Sequence, residues 1–600
     1  MRAMHDVDPQ DPRAAYDERL AHRREAVARL ERADGHVANA RLAVFAAAAA
    51  VAFFAFARHA LSGWWLLAPG AAFVALLVWH DRVLRRRARA ARAVLFYEQG
   101  LSRLDGTWPG KGTAGERFDD PAHPYARDLD LFGPGSLFER LCTARTAAGE
   151  ETLASWLKAP ASSEEVGARQ EAVEELRRRL DLREDLAVLG ADVRAQVDPG
   201  RLAGWGAGAP ALPSRAWWIG AAALTIAGIA AALAWPLAGV GPLPLVVVGV
   251  ADWLLLRRLR DPLGAAAAAV EKPGRDLAVL AEVLARFERE QVASPRLRAL
   301  HAALVEDGAP ASVRIRKLAR LIEILHTRHN QFFAPIAFLL LWPVHLGYAI
   351  EAWRGAHGRS VARWLAAVGE LEALSSLAAY AFERPRDPFP ALRDGPAHFS
   401  GEALAHPLLR GAVPNDVALG GALQALVVSG SNMSGKSTLL RTVGVNAVLA
   451  LAGAPVCARA LRLSPLAIGG TLRVQDSLQQ GTSRFYAELT RLKQLVEIAG
   501  GPVPLLFLVD EIFHGTNSHD RRIGAEAILR GLLDRGAIGL LTTHDLALAQ
   551  AAEALAPRAA NVHFADHLEE GRLAFDYRMQ PGVVRKSNAL ELMRAVGLEV

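Results

Sequence analysis

The 600-residue chain predicts a C-terminal α/β domain on a parallel sheet, preceded by a helical region that carries two apolar helical hairpins. Three observations predict it. From about Leu423, short β runs at 426–428, 505–509 and 538–542 alternate with helical stretches, as strands joined by crossover helices do. Over 128–200 and 262–385, Leu, Val and Ala recur at three- and four-residue spacing between Arg and Glu. Finally, residues 42–79 are uncharged apart from Arg58-His59, and residues 216–251 carry no charge at all.

Composition sets the bounds. Hydrophobic types make up 52% and charged types 22%, too apolar for a disordered chain. A formal net charge of +6 over this length is too mild to argue for nucleic acid by itself. The two cysteines, Cys142 and Cys457, form no CxxC or Cys/His cluster. That excludes a disulfide framework and a structural zinc site, and suits a reducing compartment.

Taken in order, residues 1–41 read as an N-terminal cytosolic helix with no cleaved-signal pattern. Residues 42–80 read as a first transmembrane hairpin, its spans at 42–57 and 60–79, with Trp64, Trp65 and Trp79 at interfacial positions. A juxtamembrane linker follows over 81–127, loop-rich from 93, then a first helical part over 128–215. Residues 216–256 read as a second hairpin, broken at Trp235-Pro236 and again at Gly241-Pro242. A buried soluble hairpin is the competing reading. Residues 257–395 form the second helical part, and 396–600 the α/β domain. Arg82, Arg85, Arg86, Arg87, Arg89 and Arg92 after the first hairpin, and Arg257, Arg258 and Arg260 after the second, place these flanks in the cytoplasm. A phosphate-binding stripe is the alternative for the first run. The expectation is a multi-pass inner-membrane protein with its C-terminal domain in the cytoplasm. The apolar run 332–350 is expected to be a buried helix of the cytosolic core, because a single extra crossing would put the following domain on the wrong side. A re-entrant segment is the other option.

The chemistry concentrates after Leu426. Gly430-Ser431-Asn432-Met433-Ser434-Gly435-Lys436-Ser437 fits G-x-x-x-x-G-K-[ST] between a strand and a helix. Such a loop turns its N–H groups inward at a helix N-terminus, a nest for phosphate. Lys436 is expected to reach the β- and γ-phosphates of ATP, with Thr438 just inside the helix and Ser437 ligating Mg²⁺. The apolar run 505–509 delivers Asp510 to the same metal and Glu511 to the attacking water, so the pair argues for hydrolysis. His544, at the tip of a third strand, is the candidate contact to the γ-phosphate or that water.

These residues resemble the MutS family of ATPases. Asn432-Met433 sit inside the loop as they do there. Asp476-Ser477-Leu478 and Ser483-Arg484-Phe485, with Glu488 beyond, are similar to its signature loop. Asp510-Glu511-Ile512, Gly515-Thr516, Asp520 and Thr543-His544 are similar to its downstream motifs. His406-Pro407 and Val413-Pro414-Asn415-Asp416 resemble the domain entry, with Asn415 near the nucleotide. Residues 128–133, Gly149, Leu153, Trp156-Leu157 and Pro160 resemble the start of the family's helical core. The resemblance implies a P-loop NTPase fold of ABC/MutS type at 396–600, working as a homodimer in which Ser483 acts in trans on the γ-phosphate. It also implies levers that transmit closure, gripping mismatched DNA in the repair proteins.

Departures are visible. Ala412 stands where an adenine-stacking aromatic is usual, Phe513-His514 where Gly-Arg is, and Ser477 for the second signature aspartate. With Val600 as the last residue read, the family's C-terminal helix–turn–helix is not expected, and the hairpins are expected to occupy the half where a mismatch reader would lie. Phe96-Tyr97-Glu98 mimics the mismatch wedge only in composition. Two functions result: a membrane-anchored, Mg²⁺-dependent ATPase engaging mismatched or structured DNA, or the same engine acting on a protein partner or membrane process. A transporter motor is a weaker third, lacking a Leu-Ser-Gly-Gly signature. A basic face from Lys272, Arg275, Arg286, Arg296, Arg298, Arg314, Arg316, Lys317 and Arg320 would discriminate, against a solvated surface balanced by acids.

Overall fold

The computed structural model describes residues 11–190, 199–267, 274–306, 308–326, 334–431, 433–473, 484–513, 518–544, 550, 552–569 and 572–584. Its first feature is a long antiparallel pair, Pro12–Ala52 with Leu67–Asp105. Asp11 caps the first helix by accepting from the Arg13 and Ala14 amides, and left-handed Gly106 ends the second. Ion pairs set the register: Arg24 with Glu98 at 2.7 Å, Arg87 with Asp34 at 3.0 Å and His80 with Asp34 at 3.3 Å. Beyond that polar stretch the pair exposes Phe45, Phe54, Phe56, Trp64, Trp65, Val74 and Trp79. The chain turns between them through a π-helical turn, Phe53–Ala57, and left-handed His59.

One expectation needs adjusting. The helix of the polar residues 12–41 runs on without a break into the apolar span, but the segment expected to be loop-rich from 93 stays helical to Asp105. The reason is packing: Phe96 and Tyr97 are buried with Tyr16 and Phe382. Gly100 is small because a Cβ there would lie 2.5 Å from the Tyr16 ring. Phe96 and Tyr97 are thus core, Glu98 pairs with Arg24 at the surface, and no wedge ring is presented.

The second hairpin is Arg215–Ala238 and Leu243–Ala267, joined through left-handed Gly239, with Ile219, Ile226, Leu233, Leu237, Val246 and Val247 facing outward. The 332–350 run, whose first two residues lie outside the described set, forms Ala334–Leu339 and Trp342–His357. Left-handed Leu341 separates them. Leu341 and Val344 are buried against Ala221 and Leu259 of the hairpin, and Thr225 Oγ1 donates to the Leu340 carbonyl at 3.3 Å. Among the described residues, four helical stretches are long and apolar enough to cross a membrane: Pro12–Ala57, Gly63–Asp105, Arg215–Ala238 and Trp342–Glu383. The apolar window of the last is 89% buried inside the protein.

Around these lies a helical core whose central strut is Val361–Glu383, buried on nearly every side. Its end is ionic. Glu383 accepts from Arg103 at 2.7 Å, Arg140 at 2.8 Å and the Tyr16 hydroxyl at 3.3 Å. Burial alone would raise this carboxyl, but the two guanidinium groups outweigh it and hold the pKa below the usual value. About three turns earlier on the same strut, burial raises Glu372 to about 7 although it accepts from Arg145 N, Thr146 N and Thr146 Oγ1.

The C-terminal region holds two sheets. The larger has six strands in the order Arg572–Pro581, Ala559–Glu569, Ala425–Ser429, Ile538–Thr543, Leu505–Val509, Ala467–Thr471. All neighbours are parallel except the edge hairpin of the first two. The central strands are buried at every position, as parallel strands covered on both faces are. A four-stranded sheet, Ala391–Leu392, Ala460–Leu463, His398–Leu404 and Asn415–Gly420, packs beside it. Asp128 ties the helical core to the larger sheet, accepting from the Leu472 and Arg473 amides at 2.9 and 2.7 Å.

Removing the charge of Glu383 strands two buried arginines. Glu383→Gln is expected to cost about 3–5 kcal/mol, whereas Tyr16→Phe, which removes one long hydrogen bond, costs about 1 kcal/mol. Denaturation midpoints of the purified variants check the order; an equal effect would show that Glu383 is not the hub.

Candidate functional site

Three strand tips meet at one point. Register pairs Leu541 with Val509 and Thr543 with Ser429, so Leu505–Val509 ends two residues before its neighbours and Asp510 emerges beside Thr542. From the Ala425–Ser429 tip, Gly430 and Gly435 adopt positive φ and the helix Lys436–Ala452 begins. A Cβ on Gly430 would lie 2.7 Å from Ser434 Oγ, so the tight loop needs glycine there. Asn432 lies outside the described residues. Met433 follows with φ 68° and is exposed.

Lys436 Nζ donates to the carbonyls of Gly430 at 2.9 Å and Ser431 at 2.8 Å, so the lysine lies across its own loop. Burial lowers its pKa, and the nearby Glu511 and Asp510 pull the other way. Ser437 Oγ donates to Asp510 Oδ2 at 2.6 Å, and Thr542 Oγ1 donates to Asp510 Oδ1. The Glu511 amide in turn donates to Thr542 Oγ1 at 3.0 Å. Glu511 has φ 52°, a strained conformation for a side-chain-bearing residue. His544 Nδ1 lies 3.5 Å from Glu511 Oε1.

Beside these groups opens a cavity of about 610 Å³, lined among others by Ala412, Asn415, Lys436, Ser437, Glu511 and Tyr577. Thr438 and Met433 also line it. Asn415 is pinned to the edge hairpin: its Nδ2 donates to the Tyr577 carbonyl at 3.0 Å, and its Oδ1 accepts from Met579 N at 2.7 Å. Ser431 Oγ and Ser434 Oγ are buried with no hydrogen-bond partner among the described residues. Orphan hydroxyls on a loop of this shape suit an anion with several acceptor oxygens. Ser437 Oγ and Asp510 Oδ2 already converge as hard oxygen donors of the kind Mg²⁺ takes. The residues present fit both groups.

The structure therefore gathers Gly430, Ser431, Ser434, Gly435, Lys436, Ser437, Asp510, Glu511 and His544, with Asn415 and Thr438 on the cavity wall. Asp476, Ser477, Leu478, Ser483, His514, Gly515 and Thr516 lie outside the described residues. Glu488, just beyond the signature loop, is buried and accepts from the Phe513 amide.

Sequence reasoning missed two residues. Thr542 ties Asp510 to Glu511; its only signal is a hydroxyl at the end of an apolar strand. Tyr577 brings a ring to the cavity that Ala412 leaves without one, and a Cβ on Gly435 would lie 3.2 Å from that ring. Nothing local marks Tyr577, because only the fold-back of the edge hairpin carries it there.

A phosphate loop at one strand tip with an Asp-Glu pair at the tip of the next strand but one defines a P-loop NTPase-like domain. The family model for MutS domain V matches residues 426–599. The chain is 33% identical over 221 residues to the DNA mismatch repair protein MSH6 of Arabidopsis thaliana, covering 34% of this chain and 16% of that protein. It is 34% identical over 246 residues to the DNA mismatch repair protein MutS 2 of Halobacterium salinarum, covering 40% and 28%. It is 36% identical over 219 residues to the endonuclease MutS2 of an Anaeromyxobacter species, covering 35% and 27%. The C-terminal third of the chain is thus related to the MutS family, and the match spans between 16% and 28% of the length of these relatives.

Thr542→Val keeps shape and removes the hydroxyl that holds both acidic residues. A hydrogen bond to a charged group is worth about 1.5–3 kcal/mol, so any nucleotide hydrolysis at this site is expected to fall about ten- to a hundredfold while nucleotide affinity changes little. Turnover and nucleotide binding measured side by side on the variant check this; intact turnover would remove Thr542 from the site.

Proposed function

We propose that the protein is a membrane-anchored, Mg²⁺-dependent ATPase of MutS type whose helical levers act on mismatched or structured DNA. The observation that carries the ATPase reading is the hydrogen-bonded run Ser437–Asp510–Thr542–Glu511 beneath an open phosphate loop. Phosphate oxygens would take the Lys436 ammonium from the loop carbonyls and satisfy the Ser431 and Ser434 hydroxyls. Ser437 and Asp510 would hold Mg²⁺, which supplies positive charge against the developing phosphate charge. Glu511 orients and deprotonates the attacking water, and His544 steadies the Glu511 carboxylate. Tyr577 offers a stacking face for the base. Ser483 completes the site of a second copy. The outward aromatic and aliphatic residues of both hairpins support a membrane anchor with the ATPase domain on the cytoplasmic side.

The ligand of the levers has a competing reading. Of the basic residues that would face DNA, Arg286 pairs with Asp185 at 2.7 Å and Arg296 pairs with Glu370. Arg314 is buried, within 3.4 Å of His357 Nδ1. Lys272 and the Arg275 side chain lie outside the described residues. Exposed Arg298, Arg316, Lys317 and Arg320 have no ion-pair partner among the described residues. Pairing of Arg286 and Arg296 and burial of Arg314 narrow the basic face to four residues, which supports the second reading, the same engine acting on a protein partner or a membrane process.

Turnover of the detergent-solubilised protein with homoduplex, mismatched and branched DNA across a salt series decides between them. DNA stimulation that declines with salt supports the first reading, because phosphate contacts release counterions. A rate indifferent to every DNA, with no retention at low salt, supports the second. Lys436→Ala is expected to abolish tight ATP binding. Glu511→Ala should retain binding and lose turnover by about a hundredfold or more, accumulating a closed dimer. Turnover equal to the parent would exclude Glu511 as the base. Ser483→Ala mixed with Lys436→Ala should regain part of the activity if the serine acts across the interface.

A further inference from the structure

The arginine run after the first hairpin forms one wall of a cleft. Arg82, Arg85, Arg86, Arg89 and Arg92 line a cavity of about 430 Å³, with Glu282 of the Gly274–Phe287 helix opposite. Spacings of three and four residues put these five on a single helix face. The face turned toward the N-terminal helix is neutralised, since Arg87 sits between Asp34 at 3.0 Å and Glu31 at 3.5 Å. The cleft face is not. Arg89 meets Glu282 at 3.2 Å and Arg85 meets Asp81 at 2.7 Å, but Arg82 and Arg86 have no ion-pair partner among the described residues. Pairing within the protein therefore accounts for Arg87 and leaves the cleft with excess positive charge.

Depth indicates what would neutralise it. The outward apolar band of this helix includes Val74, Leu77, Val78 and Trp79, and the arginines begin just beyond it at Arg82. At 1.5 Å per residue, Arg82 and Arg86 lie about 5 and 10 Å along the axis beyond Trp79. Tryptophan favours the headgroup level of a bilayer. The guanidinium forks then stand where phosphate esters are concentrated, and their planar donors match phosphate oxygens. Duplex DNA would have to enter between this helix and Glu282, against a carboxylate and alongside the bilayer.

We propose that this cleft binds the phosphate group of an anionic phospholipid headgroup, with Arg82 and Arg86 as its main donors. This rests on the membrane-anchored reading. The test uses the full chain in non-ionic detergent, stripped of lipid. It is titrated with mixed micelles of phosphatidylglycerol or phosphatidylcholine, with inorganic phosphate and with duplex DNA. Arg82→Gln/Arg86→Gln is compared with the parent and with a charge-matched control at two exposed arginines of the α/β domain, Arg462→Gln/Arg535→Gln. The expected result is a preference for phosphatidylglycerol that falls about thirtyfold in the first variant, on the order of fivefold per arginine, and stays unchanged in the control. Equal retention of both lipids, or no effect of the double variant, overturns the proposal. Inorganic phosphate competing as well as the lipid overturns it in favour of a soluble ligand. Loss of DNA binding in place of lipid binding overturns it in favour of a nucleic-acid stripe. Carbonate extraction of membranes is run in parallel. A chain that washes off defeats the anchor itself, whereas one that stays and shows no lipid preference defeats only the cleft.

Discussion

The Asp510 carboxylate is the joint of the α/β domain. One oxygen accepts from Ser437, at the start of the helix after the phosphate loop, and the other from Thr542, at the end of the intervening strand. Each contact spans different strands, so the arrangement exists only if Leu505–Val509 stops two residues short of its parallel neighbours and delivers Asp510 beside Thr542. A slip of one residue in either pairing would turn every side chain to the opposite face. The apolar strands supply that register: all positions of Leu505–Val509 and Ile538–Thr543 are buried, and slippage would expose or strand them. Hydrophobic packing thus sets the separation of donors and acceptor to within the reach of a hydrogen bond.

The same joint holds strain. Glu511 and Phe513 both adopt positive φ, at a cost of order 1–3 kcal/mol each. Their amides are satisfied from outside the segment, by Thr542 Oγ1 and by the Glu488 carboxylate. Glu488 belongs to the Arg484–Ala499 helix that follows the signature-loop motif. The Arg484–Ala499 helix is thus tied directly to the backbone that aims Glu511.

Sequence legibility follows the range of the interactions. The phosphate loop, the strand before Asp510 and the apolar blocks are local patterns, whose glycine, lysine and hydrophobic spacing carry their own physical reason. The helix through Phe96 to Asp105 is not legible in that way. Gly106, Gly110, Gly112 and Gly115 mark breaks that begin only after Asp105, yet the stretch before them carries Gly100 and few aliphatic residues. What makes it helical is contact with Tyr16, a residue of the preceding helix. Thr542 and Tyr577 share that property. Each is ordinary in its own neighbourhood and acquires a role only when sheet pairing brings another segment to it. The helix boundary at Leu341 is similar, set by docking against Ala221 and Leu259 rather than by the prolines nearby.

The ionic cluster around Glu383 shows how the first helical hairpin can be joined rigidly to the α/β domain. Arg103 comes from the long helix continuing out of the first hairpin, Arg140 from the start of the helical core, and Glu383 from the end of the central strut. The next residue, Arg384, donates to the Pro407 carbonyl at 2.7 Å and pairs with Asp387 at 3.1 Å, at the entry to the C-terminal sheets. Such a cluster contributes little net stability over an apolar substitute, because desolvation offsets the attraction. Its effect is directional. Each charge tolerates only one arrangement of partners in a dry site, so rotation of the strut at one end must either carry the hairpin helix with it or strand a buried charge. The cost of the second course makes the first the lower-energy path, and that is a mechanical link between the hairpin and the entry to the C-terminal sheets.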